Sequence, residues 1–335
     1  MPKSGSRLNE ERAYGKGATL HAPFPWFGGK RAIAAQVWQW LGDVPNYVEP
    51  FFGSGAVLLQ RPDYEPTRHT ETINDADGLL CNFWRAVTAD PEAVAHWADW
   101  PVIENDVHAR HAWLVSQKDA LQARLEGSPE YYDAQVAGWW VWGLCCWIGR
   151  GWCSGDGPWQ VVDGQLVHRG DAGQGIHRQR VHLGDAGQGI REWFAGLQAR
   201  LRRVRQCCGD WQRVCGFSTT TKLGCTGVFL DPPYSHALRD RNLYRVELDM
   251  APTIQAWCLA HGADPLFRIV LCGYGTEHDV LLDAGWRKWT WTAHGGYGTQ
   301  GQGRGRTNAT LEACWVSPHC LDEEQQPSLF GKEIL

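Results

Sequence analysis

The chain has 335 residues, 43% of them hydrophobic and 21% charged, with a formal net charge of −5. These values are ordinary for a globular protein, and the absence of an apolar run of about 18 residues argues against a membrane span. The polar N-terminus lacks the apolar segment of a secretory signal, so we expect a cytoplasmic protein. Twelve cysteines without a C-x-x-C pair favour reduced thiols and argue against a zinc site, so no metal is expected.

The first predicted elements alternate between strands and helices. In residues 23–34, "PFPWFGGKRAIA", two glycines followed by Lys30 open a helix, although the spacing is not that of a phosphate-binding Walker loop. Residues 44–59, "VPNYVEPFFGSGAVLL", predict a short strand, a turn with two glycines and the start of an apolar helix. Residues 70–75 predict a second strand and residues 78–88 a helix, which together are typical of the beginning of a nucleotide-binding β-α-β unit.

The middle of the chain differs in amino-acid composition. Residues 91–140 are rich in Trp and Ala and largely helical in pattern, and most of the 20 Trp are expected in the core. Residues 149–190 are rich in Gly and repeat the phrase "GDAGQGI" at 170–176 and 184–190, which suggests a loop or hairpin. Residues 191–205 predict a basic helix within an arginine-dense segment, which either holds a phosphate backbone or forms a solvated face.

Strand patterns resume in the last third. Residues 226–234, "TGVFLDPPY", predict an apolar strand ending in a proline-rich loop, and residues 267–274 predict another strand, followed by a helix over 277–285. Two β segments are expected in 286–293 and 308–317, with a Gly-rich stretch between them. These patterns predict a leader (1–20), a split α/β domain (21–90 and 206–318), an inserted module (91–205) and a polar tail (319–335).

The loop Asp231-Pro232-Pro233-Tyr234 has the groups expected of a pocket for a planar amine. It follows a strand, and the carboxyl ends of strands are where α/β folds bind ligands. The Asp231 carboxylate and the Pro232 carbonyl can accept two N–H bonds while Tyr234 offers a flat ring. For an aromatic amino group, this favours a pyramidal nitrogen whose lone pair points at an incoming methyl. The alternative is a plain turn, because Pro and Asp are common in turns.

These motifs, in this order, resemble the Dam family of adenine-N6 DNA methyltransferases. The shared pattern is W-x-G-G-K (26–30), E-P-F-x-G-x-G (49–55), N-D (74–75), an insert, D-P-P-Y (231–234) and N-x-x-x-E (308–312). The resemblance covers about 20–88 and 206–317. It implies a Rossmann-like methyltransferase fold, with a mixed seven-stranded sheet flanked by helices and an inserted, mainly helical and loop-rich target recognition domain. It also implies S-adenosylmethionine as the cofactor and a flipped-out adenine of double-stranded DNA as the substrate.

The resemblance also implies roles for single residues. Asp231, Pro232, Pro233 and Tyr234 would be catalytic and bind the target adenine, with Asp231 also near the cofactor. Asp75 would bind the ribose hydroxyls; alone, it could equally be an exposed helix N-cap. Asp210 resembles the family's acid near the cofactor adenine. The other residues expected at the cofactor are Trp26, Lys30, Glu49, Phe51, Gly53 and Gly55.

The insert departs from the family. The stretch nearest to the family's base-reading hairpin is "CCWIGRGWCSG" (145–155), from which both family asparagines are absent, so no target sequence can be carried over. Arg150 is a candidate for reading guanine, and Trp152 for a wedge in the gap left by the flipped base or a buried core residue. Arg178 and Arg180, beside the repeated phrase, are candidates for phosphate contacts.

Three alternatives stay open at this point. One is a cytosine-N4 methyltransferase, a class that more often has Ser in place of Asp231. The second is RNA as the substrate. The third is a catalytically idle protein that binds DNA or S-adenosylmethionine. A monomer is expected, and the sequence does not distinguish a restriction–modification enzyme from a stand-alone or phage-borne one.

Overall fold

A computed structural model describes residues 20–26, 28–147, 152–153, 159–162, 165–168, 189–216, 223–233, 250–291 and 312–322. Within these ranges no helix is both long and apolar enough to cross a membrane. None of the twelve cysteines, all of which lie in these ranges, forms a disulfide.

The described residues form a seven-stranded mixed sheet. Its strands are β1 (Asn46–Glu49), β2 (Thr70–Asp75), β5 (Arg205–Cys208), β6 (Thr226–Leu230), β7 (Phe267–Tyr274), β8 (Arg287–Thr290) and β9 (Glu312–Val316). Their order is β5-β2-β1-β6-β7-β9-β8. The first five strands in this order are parallel, and β9 runs antiparallel to both β7 and β8. Between them in the chain, β3 (Trp159–Val162) and β4 (Gln165–His168) pair separately as an antiparallel hairpin.

Helices cover both faces of this sheet. They are α1 (Ala34–Leu41), α2 (Gly78–Ala89), α3 (Pro91–Ala98), α4 (Glu104–Gly127), α5 (Ala134–Cys146), α6 (Ile190–Leu201) and α7 (Ala251–His261). Alternate strand residues point to opposite faces, so each face has its own apolar core. Tyr47 and Phe229 face the core with α1 to α6, whereas Val48 and Val228 face the core with α7.

The Trp-rich helices share the core of the sheet layer. Helix α5 packs against α2 and α3, and α6 packs against the same two helices. Phe83 of α2, Trp140 of α5 and Phe194 of α6 belong to one buried cluster. Residues 91–147 are thus continuous with the sheet layer, and the division of the chain at residue 90 stays a prediction.

Two predicted helices are wrong in type. The apolar segment after Gly55 forms turns and a three-residue 3-10 helix, Leu58–Gln60, because Pro62 disfavours a helical conformation at Arg61. Residues 277–285 contain a six-residue 3-10 helix, Asp279–Ala284, which is too short a segment to offset the cost of nucleating an α-helix. The predicted strands at 70–75 and 267–274 are confirmed in type and in both bounds.

Candidate active site at the carboxyl edge of the sheet

The strand order places a crevice between β1 and β6. The chain moves outward from β1 to β2 and β5, and then returns to add β6 on the other side of β1. Such a reversal leaves a crevice outside the carboxyl ends of the strands, where open α/β sheets bind ligands. The loop after β1 begins at Pro50, and the loop after β6 begins at Asp231. The two strongest sequence motifs therefore meet at this crevice.

The loop after β1 is built around two glycines in left-handed conformations, Gly53 (φ 49°) and Gly55 (φ 63°). A Cβ on Gly53 would lie 2.5 Å from the indole nitrogen of Trp26, and one on Gly55 would collide with the ring of Phe52. Trp84 donates its indole N–H to the Gly53 carbonyl at 3.0 Å. The loop is thus fixed in a shape that excludes side chains at both glycines and brings Trp26 against its backbone.

Asp75, at the end of β2, holds this loop. Its Oδ2 accepts a hydrogen bond from the Gly53 N–H, and its Oδ1 accepts one from the Asp77 N–H, both at 3.0 Å. Burial raises the pKa of Asp75 to about 6, against the lowering effect of these two backbone bonds. Each carboxylate oxygen has a second lone pair, so Asp75 can accept further bonds from a diol. The N-cap of α2 is Asp77, which accepts from the Leu79 N–H, and not Asp75.

Lys30 joins the loop after β6 to β9, the last strand in the chain. Its Nζ lies 2.9 Å from Asp231 Oδ1 and 3.7 Å from Glu312 Oε2, and it donates to the Gly28 carbonyl at 2.7 Å. The side chain of Lys30 is 4% exposed, whereas that of Asp231 is 21% exposed. Lys30 therefore orients the Asp231 carboxylate from the protein side, while the Asp231 side chain stays partly exposed.

Tyr274 and Glu49 surround this ion pair. Tyr274 lies opposite Glu312 in the β7–β9 ladder, and burial, together with the Glu312 charge, raises the pKa of Tyr274. Glu49 is buried at the end of β1, where it accepts the hydroxyl of Tyr47 at 2.8 Å. Burial raises the pKa of Glu49 well above its ordinary value, and the nearby Asp231 charge acts in the same direction. Glu49 thus lies beneath the loop, buried within the protein.

Two other predicted site residues lie at the same edge. The ring of Phe51 is tilted against that of Trp211, with 6.0 Å between centroids. Asp210 follows β5, next to Gly209, whose N–H donates to the Asp75 carbonyl. The Asp210 side chain is exposed and caps a 3-10 turn by accepting from the Gln212 N–H at 2.8 Å. The roles assigned to Phe51 and Asp210 stay predictions.

Trp152 lies packed against α4 and α5. Its ring fills the space above Gly143, where a Cβ would collide with it, and its indole N–H donates to the Trp140 carbonyl at 3.0 Å. The ring also contacts those of His111 and Trp147. This placement favours a core residue over a DNA wedge. Four predicted site residues, Tyr234, Arg150, Arg178 and Arg180, lie outside the described residues.

Sequence reasoning did not assign two residues of the Lys30 network. Glu312 was recognised only as the end of a closing motif, and Tyr274 only as the last residue of a strand. Only their position could have indicated a role, because Tyr274 and Glu312 lie at the same edge of the sheet as Asp231. Within the ranges described above, no group of three or more His, Cys, Asp or Glu side chains is arranged to hold a metal ion.

The fold and this edge define a class of protein. A mixed seven-stranded sheet flanked by helices, with a glycine loop after β1, an acid ending β2 and Asp-Pro-Pro after β6, is a Rossmann-like methyltransferase fold. Residues 26–123 match the family model of the D12 class N6 adenine-specific DNA methyltransferases. The resemblance to adenine-N6 DNA methyltransferases is therefore confirmed for this part of the chain.

Two relatives are similar over short segments. The DNA N-6-adenine-methyltransferase of Escherichia phage P1 is 26% identical over 124 residues, which is 36% of this chain and 16% of the phage protein. The DNA adenine methylase of Vibrio cholerae serotype O1 is 33% identical over 82 residues, 24% of this chain and 28% of that protein. The chain thus spans less than a third of the length of the curated relatives it matches.

Proposed function

We propose that the protein transfers a methyl group from S-adenosylmethionine to the N6 amino group of an adenine in double-stranded DNA. The observation that carries this proposal is the 2.9 Å contact between Lys30 and Asp231 at the carboxyl end of β6. This contact presents an oriented carboxylate beside the Pro232 carbonyl at the crevice. The glycine loop and Asp75 border the same crevice.

The residues around the crevice fit S-adenosylmethionine. When bound, this cofactor supplies a methyl group on a positively charged sulfur. The carboxylate of Asp75 has acceptor capacity for the ribose hydroxyls, and the backbone around Gly53 has no side chain to block a close approach. Asp231 and Glu312 place negative charge near the crevice, which is favourable for a cation. We assign Trp26, Phe51 and Gly55 to the cofactor side of the site.

The Asp-Pro-Pro loop suits the target amine. The Asp231 carboxylate and the Pro232 carbonyl would each accept one N–H bond of the adenine amino group, which directs the nitrogen lone pair away from the ring plane. As the nitrogen gains a methyl group it must lose one proton, and we assign Asp231 as the acceptor of that proton. Lys30 acts on this step indirectly, because it fixes the orientation of Asp231. Tyr234 would stack on the base.

The DNA-holding part of the proposal rests on sequence. Arg150 would read a base, and Arg178 and Arg180 would contact phosphates of a duplex from which the target adenine is rotated. Proteins named as DNA adenine methylating enzymes in a phage and a bacterium support this substrate, and with it a place in the cytoplasm of a bacterial or phage-infected cell. The recognition sequence is not assigned.

A labelling experiment tests the proposal. The protein is incubated with radiolabelled S-adenosylmethionine and unmodified plasmid DNA, and modified bases are mapped by single-molecule sequencing. We expect label in DNA and N6-methyladenine at a defined sequence, and neither with the Asp231→Asn variant. Methylated cytosine with unmodified adenine would overturn the adenine assignment. Binding of cofactor and DNA without transfer of label would favour the idle binding protein.

A further inference from the structure

A second cavity lies among the Trp-rich helices and contains no residue of the candidate active site. It has a volume of about 610 Å³, which is within the range of small-molecule sites. Helices α3, α4 and α5 supply most of its walls. The residues that matter for its chemistry are Trp97, Asp99, Trp100, Asp106, Arg110 and Trp139.

Arg110 lines this cavity and is surrounded by indole rings. The residue is 8% exposed, and its guanidinium lies 4.3 Å from the ring centre of Trp142, 4.9 Å from that of Trp139 and 5.4 Å from that of Trp100. An arginine among three indoles is held flat by cation–π contacts, so its N–H groups have fixed directions. This arrangement makes Arg110 a rigid donor.

Two buried donors at this cavity have no acceptor within the described part of the chain. They are Nη1 of Arg110 and the indole Nε1 of Trp139. Buried polar groups in proteins are normally hydrogen-bonded, and an unmade bond costs free energy. Arg110 and Trp139 both line the cavity, so an occupant whose acceptors reach these two groups would remove this cost.

Carboxylates at the same cavity supply acceptors in turn. Asp106 Oδ2 accepts the indole N–H of Trp100 at 2.7 Å, which fixes the orientation of that carboxylate. Asp99 lies 3.8 Å from Nη1 of Arg191, at the start of α6. The cavity therefore combines flat apolar rings, a rigid donor and oriented acceptors.

We propose that this cavity binds a guanine base. Guanine is flat and stacks on indoles, its O6 and N7 accept bonds from an arginine, and its N1–H and N2–H₂ groups donate to a carboxylate. Adenine presents an amino donor where guanine has O6, so it would face Arg110 with the wrong group. The base could come from a free nucleoside or from a nucleic acid strand.

Isothermal titration with guanosine, adenosine and cytidine tests the site. We expect guanosine to bind to the full-length protein with a Kd of about 10–100 µM, and adenosine and cytidine at least about tenfold more weakly. The Asp231→Asn variant should bind guanosine like the unmodified protein. That control separates this inference from the proposed function, because it lacks methyl transfer but keeps the cavity.

Substitutions at the cavity sharpen the test. Arg110→Met keeps the length of the side chain but removes the donors, and Asp106→Asn replaces one acceptor with a donor while an oxygen remains for Trp100. Each should weaken guanosine binding about tenfold or more. The matched control is Arg124→Met, which removes another arginine stacked on an aromatic ring, Tyr131, from the exposed face of the same helix.

The source of the base is tested with an all-thymine oligonucleotide and the same strand carrying one guanine. Tighter binding of the guanine strand would identify a strand base as an occupant, and binding of guanosine alone would identify a free nucleoside. Binding of neither at about 1 mM would overturn the inference. So would equal affinities for guanosine and adenosine. Asp106→Asn has little reason to affect folding, so unchanged binding by it and by Arg110→Met would also overturn the inference.

Discussion

Two charged clusters lie at opposite ends of the sheet and differ in their balance of charge. At the amino end of β2, the buried Glu71 is bound by two guanidinium groups, those of Arg61 at 3.2 Å and Arg200 at 2.6 Å. At the carboxyl end, among the described residues, two carboxylates, Asp231 and Glu312, surround the single ammonium group of Lys30.

The surroundings of the first cluster explain its role. Arg200 also donates to the Leu58 carbonyl at 2.9 Å and stacks on Tyr64 at 3.8 Å, and Glu71 is fully buried. Burial lowers the pKa of Arg61, which the charge of Glu71 opposes. Every part of this cluster has a protein partner within the described residues, so losing one partner would leave a buried charge without compensation. The Lys30 cluster has an exposed edge at Asp231, which is what a site for a charged or polar substrate needs.

The largest expected effect is on catalysis. Asp231→Asn should lower the rate of methyl transfer about 10³-fold or more, because the amide has no negative charge and cannot take up the proton of the adenine amino group. Lys30 keeps Glu312 and the Gly28 carbonyl as partners, so the thermal midpoint should change little. Single-turnover assays and thermal unfolding measure the two quantities. A variant that loses stability and activity together would contradict the comparison.

The opposite outcome is expected at the other cluster. Glu71→Gln removes the buried carboxylate that pairs with both guanidinium groups and leaves Arg61 with only the more distant Asp43, at 3.9 Å. It should lower the free energy of unfolding by about 3–5 kcal/mol. The matched control is Glu65→Gln, because Glu65 forms an exposed ion pair with Arg68 at 3.8 Å, which should contribute little. Urea denaturation measures both. Equal losses in the two variants would show that the buried cluster has no special role.

A smaller effect is expected from the lysine between the two carboxylates. Lys30→Met should lower the methyl transfer rate about 10–100-fold, because Asp231 loses its orienting partner and faces Glu312 without the cation. The control is Lys288→Met, which removes a lysine bound to Asp279 at 2.7 Å away from the crevice. Unchanged activity in Lys30→Met would rule out the orienting role.

The smallest effect concerns pH. Because the pKa of Asp75 is raised to about 6, its carboxylate becomes protonated as the pH falls below 6. Affinity for S-adenosylmethionine should then fall by up to about tenfold per pH unit, since the protonated group is a poorer acceptor for the ribose hydroxyls. Calorimetric titration between pH 5 and about 8 measures this affinity. Asp75→Asn should bind weakly at every pH in that range.

Protonation of Asp75 should also change the stability of the ligand-free protein. The pKa of Asp75 in the folded protein lies above its ordinary value of 3.8, so the folded state takes up the proton first as the pH falls. Asp75 therefore destabilises the folded protein above about pH 6, and that loss is regained between about pH 6 and pH 4. Relative to Asp75→Asn, the unmodified protein should therefore gain stability as the pH falls from about 6 to about 4.

Local patterns predicted much of the fold and the position of the site. The strand at 267–274 follows from a run of apolar residues, and the strand at 70–75 from β-branched residues ahead of an acid. The place of Asp231 follows from the strand before it. The type of short helices did not follow, because a three-residue turn and an α-helical start have the same apolar pattern.

Contacts between residues far apart in the chain could not be predicted from sequence patterns. Glu71 and Arg200 are 129 residues apart, and nothing in either neighbourhood marks them as partners. The position of Trp152 depends on the missing side chain of Gly143, which a pattern of apolar residues does not reveal. The partnership of Lys30 with Glu312 arises only when the last strand inserts beside β7.

The attachment of Arg200 has a consequence for protein engineering. Arg200 lies at the end of α6, so its ion pair with Glu71 attaches this end of the helix to β2 just before the chain enters β5. If the predicted recognition domain were replaced by that of a relative, the junction would have to lie ahead of Gly189 so that α6 is kept. A replacement that exchanged α6 as well would remove one of the two arginines that pair with the buried Glu71.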